Sequence, residues 1–272
     1  MKRTVAACLL LLASASIAAE PAVAPAAAPA AAPAAAPSKD LDVKDLVDRA
    51  NKALRGDSSR GRLTMTIETP EWKRSLEVEG WNKDRTMAFI VIRAPAKDRG
   101  ETTLRRKNEM WLWLPKVERV IKIPPTMMHS SWQGSDFNYE DIVKADSIVK
   151  DYTHKLLSTK HEDGRTVYHI QADPKPDAPV VWGKIITDVA LYDDQSVVPL
   201  LEEDYSERGE LIRTITLSDV KIMGGRRVPT KLVCVPSNKA GQKTSLTYHE
   251  LEFDLPLTDD FFSYQRLQKG GA

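Results

Sequence analysis

Most of the chain after residue 60 is a series of short segments rich in Thr, Val, Ile and Trp, separated by turn residues. Four segments come first, at Arg62 to Glu68, Arg74 to Asn82, Thr86 to Arg93 and Glu101 to Leu114. Seven more follow, at Thr153 to Lys160, Arg165 to Ala172, Lys184 to Tyr192, Val197 to Tyr205, Leu211 to Ile222, Arg227 to Val235 and Lys243 to Phe253. About eleven such segments predict a mainly β protein with one large curved antiparallel sheet or barrel, and not a succession of βαβ units.

One amphipathic helix is predicted before the strands. Its apolar residues recur at helical spacing and are Val43, Leu46, Val47, Ala50 and Leu54. Ser38 or Asp40 is expected to cap its start, and Gly56 to end it.

The N-terminus has the pattern of a secretory signal peptide. Lys2 and Arg3 precede an apolar run, and small residues follow, so we expect cleavage near Ala18 or Ala19. Residues 20–39 are rich in Ala and Pro, with a proline at every fourth position, which predicts an extended spacer. The predicted organisation is therefore a signal peptide at 1–19, the spacer at 20–39 and one folded domain at 40–272.

Charge and cysteine content exclude several classes of protein. Without Lys2 and Arg3, 37 basic residues face 38 acidic ones, so general attraction to nucleic acid or to anionic membranes is not expected. Cys8 lies in the predicted signal peptide, with only seven residues before it, and we interpret its likeness to a lipoprotein processing site as chance. Cys234 is then the single cysteine, so stability has to come from the core and not from a disulfide.

A catalytic or metal site is a weak hypothesis for this sequence. His129, Ser130, Ser135 and Asp136 lie close together and could supply a nucleophile, a base and an orienting acid, but no Gly-x-Ser-x-Gly elbow is present. The five histidines form none of the common metal-binding spacings. We therefore predict no enzymatic activity, no metal and no cofactor.

The most informative segment is the apolar stretch from Met110 to Leu114. Trp111 and Trp113 fall on one face of the predicted strand, while Met110, Leu112 and Leu114 fall on the other. A strand with one wet face alternates apolar and polar residues, so this strand is expected to be covered on both faces. Two interpretations stay open, namely a central core strand and a strand with one face lining a cavity.

A loop follows this stretch and is interpreted as a lid. Met127, Met128 and Trp132 lie after Pro124-Pro125 without strand or helix periodicity, and methionine adapts well to varied apolar partners. The triplet Gly134-Ser135-Asp136 is predicted to hold this lid, with Asp136 capping a short helical turn that runs towards Val143. The aromatic residues Phe137 and Tyr139 are expected to pack beneath it.

The sequence resembles a known family, the LolA-like outer-membrane lipoprotein-sorting proteins, which are distantly similar to LolA, LolB and RseB. The resemblance extends from about residue 40 to the C-terminus. The segments that carry it are RAPAKDRGETTLRR at 93–106, MWLWLPKVERVIKI at 110–123, GSDFNYEDI at 134–142, DY at 151–152, YSERGELIRTITLSDV at 205–220 and LTDDFFSYQRL at 257–267.

The resemblance implies a half-open antiparallel β-barrel that encloses helices and a hydrophobic cavity for acyl chains. It implies a periplasmic carrier that moves lipoproteins or lipids between the inner and outer membranes, together with an inner-membrane transporter of RND/MMPL type or a Lol-like one. The alternative is an RseB-like sensor or adaptor that binds an envelope protein without transporting lipid. Neither reading predicts the cargo or the oligomeric state.

The apolar stretch, the loop that follows it and the charges near them supply the candidate residues for a carrier. The lipid-cavity candidates are Trp111, Leu112, Trp113, Leu114, Met127, Met128, Trp132 and Phe137. Arg119 and Lys122 are candidates for contact with a headgroup or a protein partner, with ordinary outward-facing strand charges as the alternative.

Overall fold

The computed structural model describes residues 41–270 of the chain. The predicted signal peptide, the spacer and the predicted caps Ser38 and Asp40 lie outside the described residues. None of the helices between residues 41 and 270 combines the length and the apolar composition needed to span a membrane.

The predicted N-terminal helix is present as α1, Val43–Lys52. Asp42 caps it, because its side chain accepts hydrogen bonds from the backbone N–H groups of Lys44 and Asp45 at 2.9 and 3.1 Å. The prediction of Ser38 or Asp40 as the cap was therefore wrong, although the residue type was right. Gly56 ends the turn that follows with φ +57°, as predicted, and its N–H donates to the carbonyl of Lys52 at 2.8 Å.

Thirteen strands form one antiparallel sheet. They are β1 Ser58–Glu68, β2 Lys73–Lys83, β3 Met87–Ala94, β4 Thr102–Arg106, β5 Glu109–Leu114, β6 Arg119–Lys122, β7 Tyr152–Glu162, β8 Arg165–Pro174, β9 Lys184–Tyr192, β10 Val197–Tyr205, β11 Leu211–Met223, β12 Arg226–Pro236 and β13 Lys243–Phe253. Their order is β6-β5-β4-β3-β2-β1-β13-β12-β11-β10-β9-β8-β7, so β6 and β7 are edges and the sheet does not close. The predicted mainly β, half-open antiparallel fold is confirmed.

The number of strands was underestimated by two. The single segment predicted at 101–114 is the hairpin β4–β5, in which Arg106 pairs with Glu109 across Lys107 and Asn108. Lys107 adopts the left-handed conformation that a two-residue hairpin loop requires, at φ +54°, without the glycine that usually marks such a turn. The other strand beyond the eleven segments is the four-residue edge strand β6, where Pro124-Pro125 indicates the end of a short strand around Val120 to Ile123.

Short helices and one C-terminal segment cover the sheet. The remaining α-helices are α2 Tyr139–Val143, α3 Ser147–Lys150 and α4 Tyr264–Gln268, the last preceded by a 3-10 turn at Asp259–Phe262. Helix α1 packs on β7, β9, β10 and α3. Register shifts, for example at Arg62/Leu63 and Pro199/Leu201, add local bends that favour a curved sheet.

Strand β5 is covered on both faces, as predicted from its composition. Trp111 and Trp113 pack with Phe262 and Leu267 of the C-terminal segment, so one face is buried against residues near the end of the chain. Leu112, on the opposite face, belongs to a cluster with Met110, Ile123 and Val143. The core-strand interpretation accounts for this stretch.

Candidate functional site

A cavity of about 390 Å³ lies between the sheet and the helices α1, α2 and α3. Residues from β1, β2, β3 and from β9 to β13 line one side, and residues of α1 and of positions 137–148 line the other. This volume is within the range of typical pockets for small molecules.

Much of the wall is aliphatic because alternate residues of each strand face inward. On β1 the inward residues include Ser59, Gly61 and Leu63, and Val78 and Gly80 face the same space from β2. Further aliphatic residues of the wall are Ile185, Val189, Ile215, Leu217, Leu232, Leu246 and Leu251.

A pair of glycines lies in the cavity wall at the β1–β2 hairpin. Gly61 and Gly80 are register partners on adjacent strands, and both line the cavity. A Cβ atom at Gly80 would meet no heavy atom closer than 3.9 Å, whereas one at Gly61 would lie 3.0 Å from Leu251. Gly80 therefore leaves open space where another residue would project into the cavity.

The cavity wall also contains a buried charged network centred on Arg213 of β11. Its guanidinium donates to Asp141 at 2.7 and 2.8 Å and to Asp204 at 2.6 Å, and lies 4.9 Å from the ring centre of Trp182. Burial opposes the charge on Arg213, but the hydrogen bonds and charge of Asp141 and the charge of Asp204 raise its pKa. Burial and the neighbouring Glu202 raise the pKa of Asp204 well above its usual range.

The helical segment over the cavity is attached through its backbone carbonyls. Asn51 and Arg55 of the α1 region both donate to the carbonyl of Ala145, at 2.8 and 2.9 Å. Arg105 of β4 donates to the carbonyl of Ile142 at 2.8 Å. These bonds connect the segment to the α1 region and to strand β4, so its displacement would break contacts on both sides.

Asp136 does not cap α2, contrary to the prediction. Asn138 is the N-cap and forms a reciprocal capping box with Asp141, with bonds of 2.8 and 2.9 Å. Asp136 instead accepts hydrogen bonds from Gln242 and Thr244 at 2.5 and 2.7 Å, which attach it to the start of β13. A cap was predicted two residues early because Asp and Asn are both favourable at this position.

The rest of the predicted lid scaffold forms a tight turn. Gly134 has φ +76°, and Ser135 is buried, with its hydroxyl donating to the carbonyl of Trp132 at 2.7 Å. His129 has a different partner, since its Nδ1 lies 2.9 Å from Glu140 Oε2. Ser135 is thus bonded to the backbone of its own turn, while His129 is 64% exposed.

The structure divides the eight lipid-cavity candidates into two sets. Trp132 and Phe137 line the cavity, and the indole N–H of Trp132 donates to Thr103 Oγ1 at 3.1 Å. The six that do not line it are Trp111, Leu112, Trp113, Leu114, Met127 and Met128. For Trp111, Leu112 and Trp113 the reason is that neighbouring side chains already fill the space on both faces of β5.

The two methionines also lie apart from the cavity wall. Met128 packs beside the cluster of Met110, Ile123 and Val143, whereas Met127 is 46% exposed. Arg119 and Lys122 are exposed on edge strand β6, outside the residues that line the cavity. Lys122 forms an ion pair with Glu109 and lies 5.6 Å from the ring centre of Trp111.

Sequence reasoning missed the glycine pair and the charged groups of the cavity. A glycine inside a strand does signal an open or closely approached site, and this signal was present at Gly61 and Gly80. No comparable signal marks Arg55, Arg105 or Arg213, because an arginine in the sequence looks the same whether it faces solvent or a cavity.

Comparisons with known proteins complete the description. A family model described as "uncharacterized protein" matches residues 84–269, which is more than half of the chain. No curated protein sequence matches it.

Three solved structures share the fold. A DUF1329 family protein from Desulfovibrio piger superposes with a TM-score of 0.70 at 22% identity, covering 82% of this chain and 97% of its own. A LolA superfamily protein from Nitrosomonas europaea superposes with a TM-score of 0.68 at 20% identity, covering 84% of this chain and 100% of its own. A domain from Vibrio parahaemolyticus, assigned as an outer membrane lipoprotein-sorting protein, superposes with a TM-score of 0.67 at 19% identity, covering 83% of this chain and 97% of its own.

Proposed function

We propose that this chain, which belongs to the family matched over residues 84–269 and shares its fold with a LolA superfamily protein, is a periplasmic carrier whose cavity takes the acyl chains of lipoproteins or lipids. The observation that carries the proposal is the aliphatic cavity on the inner face of the sheet, which has open space beside Gly80. Each buried CH₂ group of a ligand would contribute roughly 0.8 kcal/mol, so a single chain supplies enough free energy for reversible binding.

In this proposal the cargo enters and leaves when the segment around α2 and α3 moves. The bonds from Asn51, Arg55 and Arg105 to its carbonyls are neutral or singly charged contacts, and a partner that competes for them would open the cavity. We propose an inner-membrane transporter of RND/MMPL or Lol-like type as the donor of cargo. The protein acts by binding and release and leaves its cargo chemically unchanged.

Native mass spectrometry after gentle purification tests the carrier function. A carrier retains a lipid or an acylated peptide of intact mass, while a sensor or adaptor of envelope proteins purifies without either. Consistent absence of bound lipid, together with failure of the protein to take up lipid from vesicles, would rule out the carrier.

The Gly80→Leu variant provides a matched test of the cavity. The added side chain has room at its Cβ and projects into the cavity, so lipid loading should fall at least tenfold while the free energy of unfolding changes by less than about 1 kcal/mol. Ser75→Leu is the control, because it places the same side chain at an exposed position of the same strand. Equal loading of both variants would place the cargo elsewhere on the protein.

A further inference from the structure

The charged residues that line the cavity are unequally paired. Six cationic side chains line it, namely Arg55, Lys83, Arg85, Arg105, Lys144 and Arg213. Four of them have a carboxylate partner, with Lys83 pairing with Asp259, Arg85 with Asp48, Lys144 with Glu140 and Arg213 with Asp141. Among the described residues, neither Arg55 nor Arg105 has a carboxylate within 4.0 Å.

Both unpaired guanidinium groups keep donors available. A guanidinium has five N–H donors in a planar fork. Within residues 41–270 Arg55 uses one nitrogen, for the carbonyl of Ala145, and Arg105 uses two, for the carbonyls of Lys107 and Ile142. Both side chains line the cavity, and their remaining nitrogens are not among the fully enclosed atoms that lack a partner, so these nitrogens keep some accessible surface.

The two arginines also lie in the same part of the cavity. Their carbonyl acceptors, Ala145 and Ile142, are three residues apart on one short segment, and the charge of Arg55 acts on Arg105. Burial and the charge of Arg55 lower the pKa of Arg105 to about 10. Two cations held together in a largely apolar enclosure are unfavourable without a negative group between them.

Glu202 is the cavity-lining carboxyl best placed to supply that negative charge, and it is poorly suited to do so. It is near enough for its charge to act on Arg55, yet no ion pair joins it to either arginine in the described chain. Burial raises the pKa of Glu202, which disfavours its ionised form. Asp146, which also acts on both arginines, is paired with Lys150.

We propose that Arg55 and Arg105 form a subsite for the anionic group of an acidic amphiphile, a carboxylate or phosphate attached to an alkyl chain. The planar guanidinium groups match the oxygen geometry of both anions, and the aliphatic wall receives the alkyl chain. This inference rests on the proposed carrier function and specifies its cargo as anionic.

Displacement of the neutral fluorophore N-phenyl-1-naphthylamine from the full chain at pH 8 tests the subsite. The competitors are palmitate, hexadecyl phosphate and hexadecanol, which share one chain length and differ in the head group. We expect both anions to displace the fluorophore at concentrations at least about tenfold below that of hexadecanol, since charged hydrogen bonds are retained only by the anions. A preference for only one of the two anions identifies which group the subsite takes.

The double variant Arg55→Gln/Arg105→Gln should lose this preference while still binding hexadecanol. Arg106→Gln is the matched control, because Arg106 is the exposed neighbour of Arg105 on β4 and should leave the preference unchanged. If the Gln substitutions prevent folding, the Arg55→Lys/Arg105→Lys variant is used instead, because it keeps both positive charges. The comparison of the three competitors on the unmodified protein is decisive without any variant. Equal displacement of the fluorophore by palmitate, hexadecyl phosphate and hexadecanol would overturn the anionic subsite alone. If none of the three displaced the fluorophore, the carrier function would be overturned as well.

Discussion

Strand β5 and the β1–β2 hairpin are both rich in inward-facing or buried apolar positions, yet only the hairpin borders the cavity. In β5 the large residues Trp111 and Trp113 contact the C-terminal segment, and Leu112 contacts the cluster around Val143. In the hairpin Gly61 and Gly80 are register partners, and Gly80 leaves open space where another side chain would project. Protein interiors are close-packed, so large side chains fill the volume that they would otherwise enclose, and small ones create it.

The largest expected effect is a loss of stability, and it tests whether the apolar residues of β5 serve packing and not lipid binding. Phe262→Ala removes a fully buried ring from the cluster that covers Trp111 and Trp113, and should lower the free energy of unfolding by about 3–5 kcal/mol. Lipid loading of the folded fraction should be unchanged, which is the reverse of the result expected for Gly80→Leu. Urea unfolding and loading from vesicles measure the two quantities.

Tyr264→Ala is the control for this substitution, because Tyr264 is 47% exposed and should change stability by less than about 0.5 kcal/mol. If Phe262→Ala abolished lipid loading without lowering stability, the region around Trp111 and Trp113 would be the lipid-binding surface, and the assignment of binding to the cavity at the β1–β2 hairpin would be wrong.

The second effect concerns the polar wall of the cavity. Asp141→Asn removes the carboxylate that accepts two hydrogen bonds from Arg213, and we expect a loss of about 2–4 kcal/mol. Asp204→Asn should cost less than about 1 kcal/mol, because burial already raises the pKa of Asp204 and favours its neutral form. Equal losses in urea unfolding would show that both carboxylates are needed as ions.

A third prediction uses Cys234, which is buried beside Phe137 below the same wall. Burial raises the pKa of its thiol from 9.0 to about 12, so iodoacetamide at pH 8 should label it at least a hundredfold more slowly in folded than in urea-unfolded protein. The folded state favours the protonated thiol, so this group's contribution to stability is present below pH 9 and is lost as the pH rises towards 12. Rapid labelling of the folded protein would mean that the wall around Phe137 opens readily.

The smallest effect is expected at edge strand β6. Lys122→Gln removes an exposed ion pair with Glu109 and should change stability by less than about 0.5 kcal/mol, as should Arg119→Gln. A headgroup or partner contact at these residues stays a prediction. If such a contact exists, one of the two variants should slow cargo transfer from donor membranes while leaving loading from plain vesicles intact. Unaltered transfer in both variants would exclude the contact.

Local sequence patterns predicted the fold well because they describe single elements. The alternation of residues such as those in 184–192 and 211–222 marks a strand wherever the strand pairs, and the spacing of apolar residues from Val43 to Leu54 marks a helix. The boundary at Lys107 was missed because its left-handed backbone has no sequence marker. The cap of α2 was misplaced because Asp136 and Asn138 are chemically similar candidates.

The sequence by itself determined the antiparallel β class, the amphipathic helix before it and the burial of β5 on both faces, since each follows from the periodicity or composition of one contiguous segment. The tertiary structure decided which face encloses space, because that depends on segments distant in the chain meeting. Phe262 fills one side of β5, Gly61 meets Gly80, and Arg55 and Arg105 reach one helical segment from opposite ends of the β1–β4 region. A side chain lines a cavity or fills it according to its neighbours, and those neighbours are fixed only when the sheet has curved around them.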